Sequence, residues 1–210
     1  MKLAAWWAAP VVPAADHDKW EEAGEVPRAL WEEAGEAGLL GLTIPEEYGG
    51  AGASILHAAV MWEEQSYAGV SGPGFQLHSE IVMPYILNYG NRGAEANSVL
   101  PQMAAGKMIT AIAMTEPGAG SDLQGMRTTA LKDGDDYIIN GSKTFITNGW
   151  MADLVLVCAK TDPAAGAKGI SIFAVPATTP GYHRGKKLKK LGLRAQDTAE
   201  LFFEDMRVPR

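Results

Sequence analysis

The sequence contains one cysteine, Cys158, and four histidines among its 210 residues. A lone thiol excludes an intrachain disulfide. Its place in the apolar run 154–159 predicts a small buried side chain in a reducing compartment, so we expect a cytoplasmic protein. The histidines are scattered without the spacing of metal ligands, and we therefore expect no metal site.

Long apolar runs and excess basic charge are also lacking. No segment approaches the roughly 20 apolar residues of a membrane-spanning helix. The net charge of −7 excludes bulk electrostatic attraction to nucleic acid. One short basic cluster is interpreted as a solvated loop, with a docking site for nucleotide phosphates as the alternative. Its members are Lys186, Lys187, Lys189 and Lys190.

The first fifteen residues resemble a secretory signal only faintly. Lys2 is the single basic residue before a mostly apolar stretch, and Pro10 and Pro13 interrupt that stretch. We therefore predict an atypical leader rather than an export signal.

The spacing of apolar residues changes near residue 106. Before it, they recur at helical spacing and predict five helices. Asp16 or Asp18 would cap the first, Pro27 would open the second, and Ser54 would cap the third. The residues 72–74 (GPG) would separate the third helix from the fourth.

After residue 106, alternation and short apolar runs predict strands. We expect them near 109–115, 126–132, 136–140, 143–147, 153–160, 169–176 and 199–204, with hairpin turns at Asp133-Gly134 and Asn140-Gly141. The predicted fold class is α+β. An N-terminal all-α helical bundle (1–106) would precede a small β-barrel or sandwich domain (107–210).

The strongest signal for chemistry is the run 113–122 (AMTEPGAGSD). A strand enters a Pro-Gly-x-Gly turn, whose glycines let backbone N–H groups converge on an anion such as a pyrophosphate, and Ser121 adds a hydroxyl donor. The run is not a P-loop, because no Gly-Lys-Ser/Thr follows, and it lacks the βαβ dinucleotide spacing. By itself, it is equally compatible with a plain glycine-rich turn.

The second signal is the run 140–149 (NGSKTFITNG). Strand alternation places Phe145 and Thr147 on one face. An aromatic ring beside a hydroxyl suits a planar conjugated ligand. Alone, this run is more typical of a hairpin with a packed Phe.

In this order and spacing, the two runs resemble the acyl-CoA dehydrogenase family. Residues 38–41 (GLLG), 62–65 (WEEQ) and 190–205 are also similar, so the resemblance covers about residues 18–209. Residues 122–125 (DLQG) and 196–205 are most similar to the long-chain branch. The resemblance implies FAD as the cofactor, and a C-terminal helical domain of the family that is absent from this chain.

The resemblance also implies roles for individual residues. Residues 112–121 would lie along the flavin, with Thr115 hydrogen-bonded to the isoalloxazine ring and Ser121 near both FAD and CoA. Residues 145–147 would cover the other face, with the Thr147 hydroxyl near N5; many relatives have Trp where Phe145 stands. Ala167 and Lys168 match a loop that approaches the acyl-CoA. The implied cofactor-binding residues are Ile112, Ala113, Met114, Thr115, Glu116, Pro117, Gly118, Ala119, Gly120, Ser121, Phe145, Ile146 and Thr147.

The implied reaction is α,β-dehydrogenation of a long-chain fatty acyl-CoA to trans-2-enoyl-CoA, with an electron-transfer flavoprotein as the electron acceptor. The resemblance also implies that the complete protein is a homo-oligomer. Removal of the weakly acidic α proton needs a positioned carboxylate. In the family this Glu lies in the C-terminal domain, so no residue here is assigned as the base, and Glu116 is expected to brace the turn. The alternatives are a truncated non-catalytic module that binds flavin or acyl-CoA, and a flavin oxidase or monooxygenase on the same scaffold.

Overall fold

The computed structural model describes residues 14–90 and 94–209, without the side chains of residues 14, 15, 94 and 95. The predicted leader therefore lies mostly outside the described residues. Two compact units are present: one contains the residues up to Ile109 together with 189–197, and the other contains 110–188 together with the segment from Thr198. Within the described ranges, no helix is long and apolar enough to cross a membrane.

Among its described residues, the first unit contains six α-helices. They are α1 (Ala14–Ala23), α2 (Arg28–Glu36), α3 (Ile55–Tyr67), α4 (Phe75–Leu77), α5 (Met83–Tyr89) and α6 (Ala94–Ala104). A π-helical turn, His78–Val82, joins α4 to α5, and a 3-10 turn, Glu46–Tyr48, precedes α3. The predicted fourth helix is thus interrupted by one wider turn.

The helix starts follow the sequence signals in part. Pro27 and Ser54 directly precede α2 and α3, as predicted. The Ser54 hydroxyl, however, contacts His57 Nδ1 at 3.0 Å instead of capping a backbone amide. The caps predicted at Asp16 or Asp18 are wrong, because α1 already begins at Ala14. Asp16 lies in its first turn, where a carboxylate is favourable, and pairs with Lys19 at 2.8 Å.

The core of the first unit is centred on Trp31 of α2. Its ring packs edge-on against Phe75 at 4.8 Å and against His78 at 5.2 Å between centroids, and all three residues are buried. His78 Nε2 lies 3.1 Å from the carbonyl oxygen of Met103 in α6. This histidine is therefore a hydrogen-bonded packing residue that links the π-helical turn to α6.

The second unit is a mixed seven-stranded sheet in the order β1-β4-β2-β3-β7-β6, with β5 paired to β4. β1 runs parallel to β4, whereas β2–β3, β3–β7, β4–β5 and β6–β7 are antiparallel. The strands are β1 (Thr110–Ala113), β2 (Thr129–Asp133), β3 (Asp136–Thr147), β4 (Leu154–Lys160), β5 (Ile170–Pro176), β6 (Tyr182–Lys187) and β7 (Thr198–Pro209). Helices and this curled sheet together confirm the predicted α+β class.

The hairpin predicted at Asn140-Gly141 is wrong. β3 runs through both residues as one strand, and its register with β7 shifts between Ile139 and Gly141. Gly141 has φ +151°, and a Cβ there would lie 2.4 Å from Thr128 Oγ1. Glycine therefore marks a β-bulge where a neighbouring segment approaches closely. The other hairpin is confirmed, since Asp133 pairs with Asp136.

Strand β6 was not predicted from the sequence, and Lys186 and Lys187 lie in it instead of in a solvated loop. Its sequence lacks apolar alternation because β6 is an end strand held by backbone pairing with β7. Lys187 Nζ lies 5.6 Å from the ring centre of Trp150, a cation–π distance.

Candidate functional site

The glycine-rich run forms a tight turn after β1. Glu116 and Ala119 exchange backbone hydrogen bonds of 2.9 and 3.1 Å, which leaves Pro117 and Gly118 at the tip. Neither Gly118 nor Gly120 has a positive φ, and a Cβ built on either would meet no atom within 4 Å. The packing of the chain itself therefore does not require these glycines, and the space beside them is open.

The residues 112–121 divide into a buried strand and an exposed turn. Ile112 and Ala113 are buried in β1, so they can reach a ligand only through their main chain. Met114 and Thr115 are half-buried, and Ala119 is buried. The exposed members are Pro117, Gly118, Gly120 and Ser121.

Glu116 and Lys143 form a buried ion pair beneath the turn. Lys143 Nζ donates to Glu116 Oε1 at 2.9 Å and to the Met114 carbonyl at 3.0 Å, and the lysine side chain has no exposed surface. The carboxylate also accepts the backbone N–H groups of Arg127 and Thr128. The expectation that Glu116 braces the turn is confirmed by these contacts.

The electrostatics of the pair follow from its hydrogen bonds. Burial by itself would raise the pKa of Glu116, but hydrogen bonds from Thr128, Arg127 and Lys143 outweigh burial and hold the pKa below its usual range. Burial lowers the pKa of Lys143, and the attraction of Glu116 opposes that effect. The carboxylate is thus an ionised acceptor whose lone pairs are engaged by the chain.

The second run lies beside the first. The Thr144 amide donates to the Thr115 carbonyl at 2.9 Å, so the end of β1 is joined to β3. The register of β3 with β7 shifts between Lys143 and Ile146, and Phe145 within this bulge has φ +58°. A positive φ is an outlier for a bulky residue. Such strain of about 1–3 kcal/mol is concentrated at functional sites.

The bulge determines which side chains reach the surface. Phe145 is 68% exposed, which is unusual for an aromatic ring flanked by buried residues, whereas Ile146 is 2% exposed. Thr147 is half-buried. The burial pattern places Phe145 and Thr147 opposite Ile146, so Ile146 contributes to the core and not to a binding face.

A cleft of about 220 Å³ opens beside the turn. Small-molecule pockets usually enclose about 300–1,000 Å³, so a large ligand would extend beyond this cleft over the exposed surface. Its walls come from the turn, the residues that lead into β2 and the middle of β3. They are formed by Glu116, Pro117, Gly118, Arg127, Thr128, Gly141 and Ser142.

Ala167 and Lys168 lie in a 3-10 segment, Pro163–Gly169, between β4 and β5, and both are exposed. This segment lies near the residues that follow Ser121, since a Cβ built on Gly166 would be 3.8 Å from Gln124 Oε1. The structure therefore brings the two predicted substrate-binding segments into the same neighbourhood.

Sequence reasoning missed two residues of this region, Lys143 and Asn148. Alternation from Ile139 already places Lys143 on the buried face, where a lysine requires an acidic partner, and Glu116 was available in the turn. Asn148 has φ +61° and donates from Nδ2 to the Thr110 carbonyl at 3.1 Å, which ties the end of β3 to the start of β1. An Asn directly before a Gly was the readable signal for that conformation.

Two family models match the sequence. Residues 3–107 match the model described as "Acyl-CoA dehydrogenase, N-terminal domain", and residues 111–206 match "Acyl-CoA dehydrogenase, middle domain".

Similar proteins agree with these matches. The chain is 60% identical over 195 residues to the "Long-chain specific acyl-CoA dehydrogenase, mitochondrial" of Rattus norvegicus, covering 92% of this chain and 45% of that protein. It is 50% identical to an acyl-CoA dehydrogenase structure from Geobacillus kaustophilus, with a TM-score of 0.91 over 100% of this chain and 56% of that one. For a glutaryl-CoA dehydrogenase from Mycobacterium smegmatis in complex with FADH2, the identity is 34% and the TM-score 0.85, over 99% of this chain and 52% of that one.

This chain thus spans about half the length of these relatives. With its two runs, its sheet and its helices matched along nearly the whole sequence, it belongs to the acyl-CoA dehydrogenase family.

Proposed function

We propose that the second unit binds FAD and that the chain is the flavin-binding part of an acyl-CoA dehydrogenase acting on long-chain acyl-CoA. One observation carries this proposal: the Thr144–Thr115 hydrogen bond joins an open glycine turn to a bulge that exposes Phe145. The Mycobacterium smegmatis relative, solved with FADH2, supports the choice of ligand.

The residues present fit the parts of FAD. The exposed Gly118 and Gly120 can offer backbone N–H groups to a pyrophosphate, and the exposed Ser121 can offer its hydroxyl. The Phe145 ring offers a stacking surface, and the half-buried hydroxyls of Thr115 and Thr147 offer hydrogen bonds to a ring edge. The buried Ile112, Ala113 and Ile146 would contribute main-chain contacts alone. FAD, when bound, supplies the hydride acceptor for α,β-dehydrogenation to trans-2-enoyl-CoA.

Glu116 is poorly suited to remove the substrate's α proton. Its carboxylate already accepts from Lys143 and two backbone amides, and its pKa is held low. A general base works best with a pKa near the operating pH and with free access to the proton. We therefore propose that a glutamate outside these 210 residues supplies the base.

The substrate proposal rests on identity and exposure. The 60% identity to the rat long-chain enzyme favours a long acyl chain. Ser121, Ala167 and Lys168 are exposed, and the Lys168 ammonium would attract the phosphates of CoA. We further propose an electron-transfer flavoprotein as acceptor, a homo-oligomeric complete protein and a cytoplasmic location; cell fractionation would check the last.

Visible absorbance of the purified chain, after incubation with FAD and gel filtration, tests the central proposal. We expect flavin absorbance to elute with the protein. Added long-chain acyl-CoA should then perturb the flavin spectrum more than short-chain acyl-CoA does. A chain that elutes without flavin at any FAD concentration tested would refute the proposed cofactor site.

The engaged Glu116 carboxylate specifically favours a second candidate, a non-catalytic module that binds flavin or acyl-CoA. The two candidates differ in turnover. With a polypeptide that carries the proposed base added, the dehydrogenase part should reduce an artificial electron-accepting dye in the presence of long-chain acyl-CoA, and the non-catalytic module should not. Dye reduction by this chain alone would rule the module out and would also refute a base outside these residues.

A further inference from the structure

We propose that Glu116 and Lys143 act as a positioning pair, which fixes the separation between the turn and the β3 bulge and so holds Thr115 and Phe145 in place for the flavin. This inference rests on the proposed FAD binding. It assigns to a buried ion pair a task in cofactor geometry beyond bracing the turn.

The lysine side of the pair joins two segments. Lys143 Nζ contacts the Met114 carbonyl at 3.0 Å and Glu116 Oε1 at 2.9 Å. These acceptors flank Thr115, whose carbonyl accepts the Thr144 amide. One ammonium group therefore holds the main chain before a proposed flavin contact and the side chain of the residue after it.

The glutamate side adds a third segment. Oε1 accepts from Lys143 and from the Thr128 amide, and Oε2 accepts from the Arg127 amide. The carboxylate thus ties the turn to the residues that lead into β2. Because both oxygens are used, a change in either partner shifts the turn relative to the strand.

The bulge needs such support. Phe145 has φ +58° in the interval where the β3–β7 register shifts. A strained conformation persists only where its surroundings over-determine it. The buried side chains of Lys143 and Ile146 anchor the strand on either side of this exposed residue. Loss of the pair would let the bulge relax and move the aromatic ring.

An effect of the pair on stability can be separated from an effect on flavin geometry. Replacing both partners of a buried ion pair by uncharged groups of similar size often leaves stability unchanged. We therefore compare Lys143→Met with the double variant Lys143→Met/Glu116→Gln. The single variant should melt at a lower temperature, since it leaves a buried carboxylate without its cation. The double variant should melt near the wild type.

Flavin binding separates the two roles. We expect the double variant to bind FAD about five- to tenfold more weakly than the wild type despite its restored melting temperature. Its bound flavin should also show a shifted visible spectrum, because Phe145 is displaced. Lys132→Met, at an exposed lysine of β2, is the matched control and should change none of these readouts.

The inference fails if the double variant recovers affinity and spectrum together with stability. If the double variant does not fold, Glu116→Gln alone provides the test, since it keeps the shape and removes the charge. Unchanged FAD affinity and spectrum in a folded Glu116→Gln chain would equally overturn the inference.

Hydrogen exchange of the Thr144 amide in the flavin-free chain tests the positioning pair separately from the proposed FAD binding. We expect this amide to exchange faster in the double variant, which melts near the wild type, while amides of the β6–β7 ladder stay protected. Wild-type protein that never takes up FAD refutes the proposed function. Unchanged exchange at Thr144 refutes the positioning pair, whatever the result with flavin.

Discussion

Replacing Glu21 by glutamine should destabilise the first unit, because this carboxylate joins segments far apart in the sequence. It accepts hydrogen bonds from the Ser71 hydroxyl at 2.8 Å, from Arg194 Nε at 3.0 Å and from the Ala195 amide at 3.0 Å. His17 Nε2 lies 3.9 Å away. Helix α1, the middle of the α3–α4 connection and the segment 189–197 therefore meet at one side chain.

The magnitude follows from the pKa. Burial would raise the pKa of Glu21, but the hydrogen bonds from Ala195, Ser71 and Arg194 and the nearby His17 lower it from 4.5 to about 2. By linkage, that difference sets an upper bound of about 3 kcal/mol on the stabilisation. The Arg194 side chain is 55% exposed, and solvent screening there reduces the expected contribution to about 1–2 kcal/mol.

The sign of the pH dependence is fixed by the lowered pKa. The stabilisation is complete above pH 4.5, where the carboxylate is ionised in both the folded and the unfolded chain. It disappears as the pH falls from 4.5 towards about 2 and protons bind the unfolded chain first. Glutamine does not titrate, so the difference between wild type and Glu21→Gln should be largest at neutral pH and should shrink on acidification.

Urea denaturation at several pH values between neutrality and strong acid measures this difference. The exposed neighbour Glu22→Gln is the matched control and should change the free energy of unfolding by less than about 0.5 kcal/mol. A Glu21→Gln chain as stable as the control at neutral pH would refute the reasoning. So would a difference that stays constant across the acid range.

Three further predictions concern the site and the surface. Gly120→Ala should leave stability unchanged or raise it by about 0.4–1 kcal/mol in urea denaturation, because no atom of the chain lies near the added methyl group. The same methyl group should crowd the ligand and weaken FAD binding by about 1–3 kcal/mol in a fluorescence titration. Equal FAD affinity would show that no ligand approaches this backbone. Thr147→Ala should weaken flavin retention by about 1 kcal/mol, the value of one hydrogen bond, and unchanged FAD affinity would place the hydroxyl elsewhere. On α3, Leu56 is 72% exposed and Tyr67 is 79% exposed, so the chain should self-associate in light scattering. Leu56→Ser should reduce this association. A sharp monomeric peak for the wild type would contradict the prediction.

Much of the fold could be predicted from local patterns. The change from helical spacing to alternation near residue 106 reflects how helices and strands bury one face, and it predicted both classes of element. Pro27, Ser54 and the Asp133-Gly134 turn mark their positions through backbone preferences that act within a few residues. The two runs that resemble the family were likewise readable, because each is continuous in sequence.

Other features arose only from contacts between distant segments. The sequence suggested a turn at Asn140-Gly141, yet pairing with β7 over residues 136–147 makes one bulged strand, because the ladder satisfies more backbone groups than a turn would. Strand β6 exists only because β7 offers it an edge.

The candidate site likewise combines features that were readable from the sequence with features that only the fold determined. The glycines, Phe145 and the hydroxyl-bearing residues could be proposed as site residues from the sequence, because the chemistry of each side chain does not depend on its neighbours. The positive φ of Phe145 and the pairing of Glu116 with Lys143 were decided by the tertiary structure. A strained backbone and a buried charge are stable only when groups remote in sequence converge on them, and that convergence is a property of the folded chain.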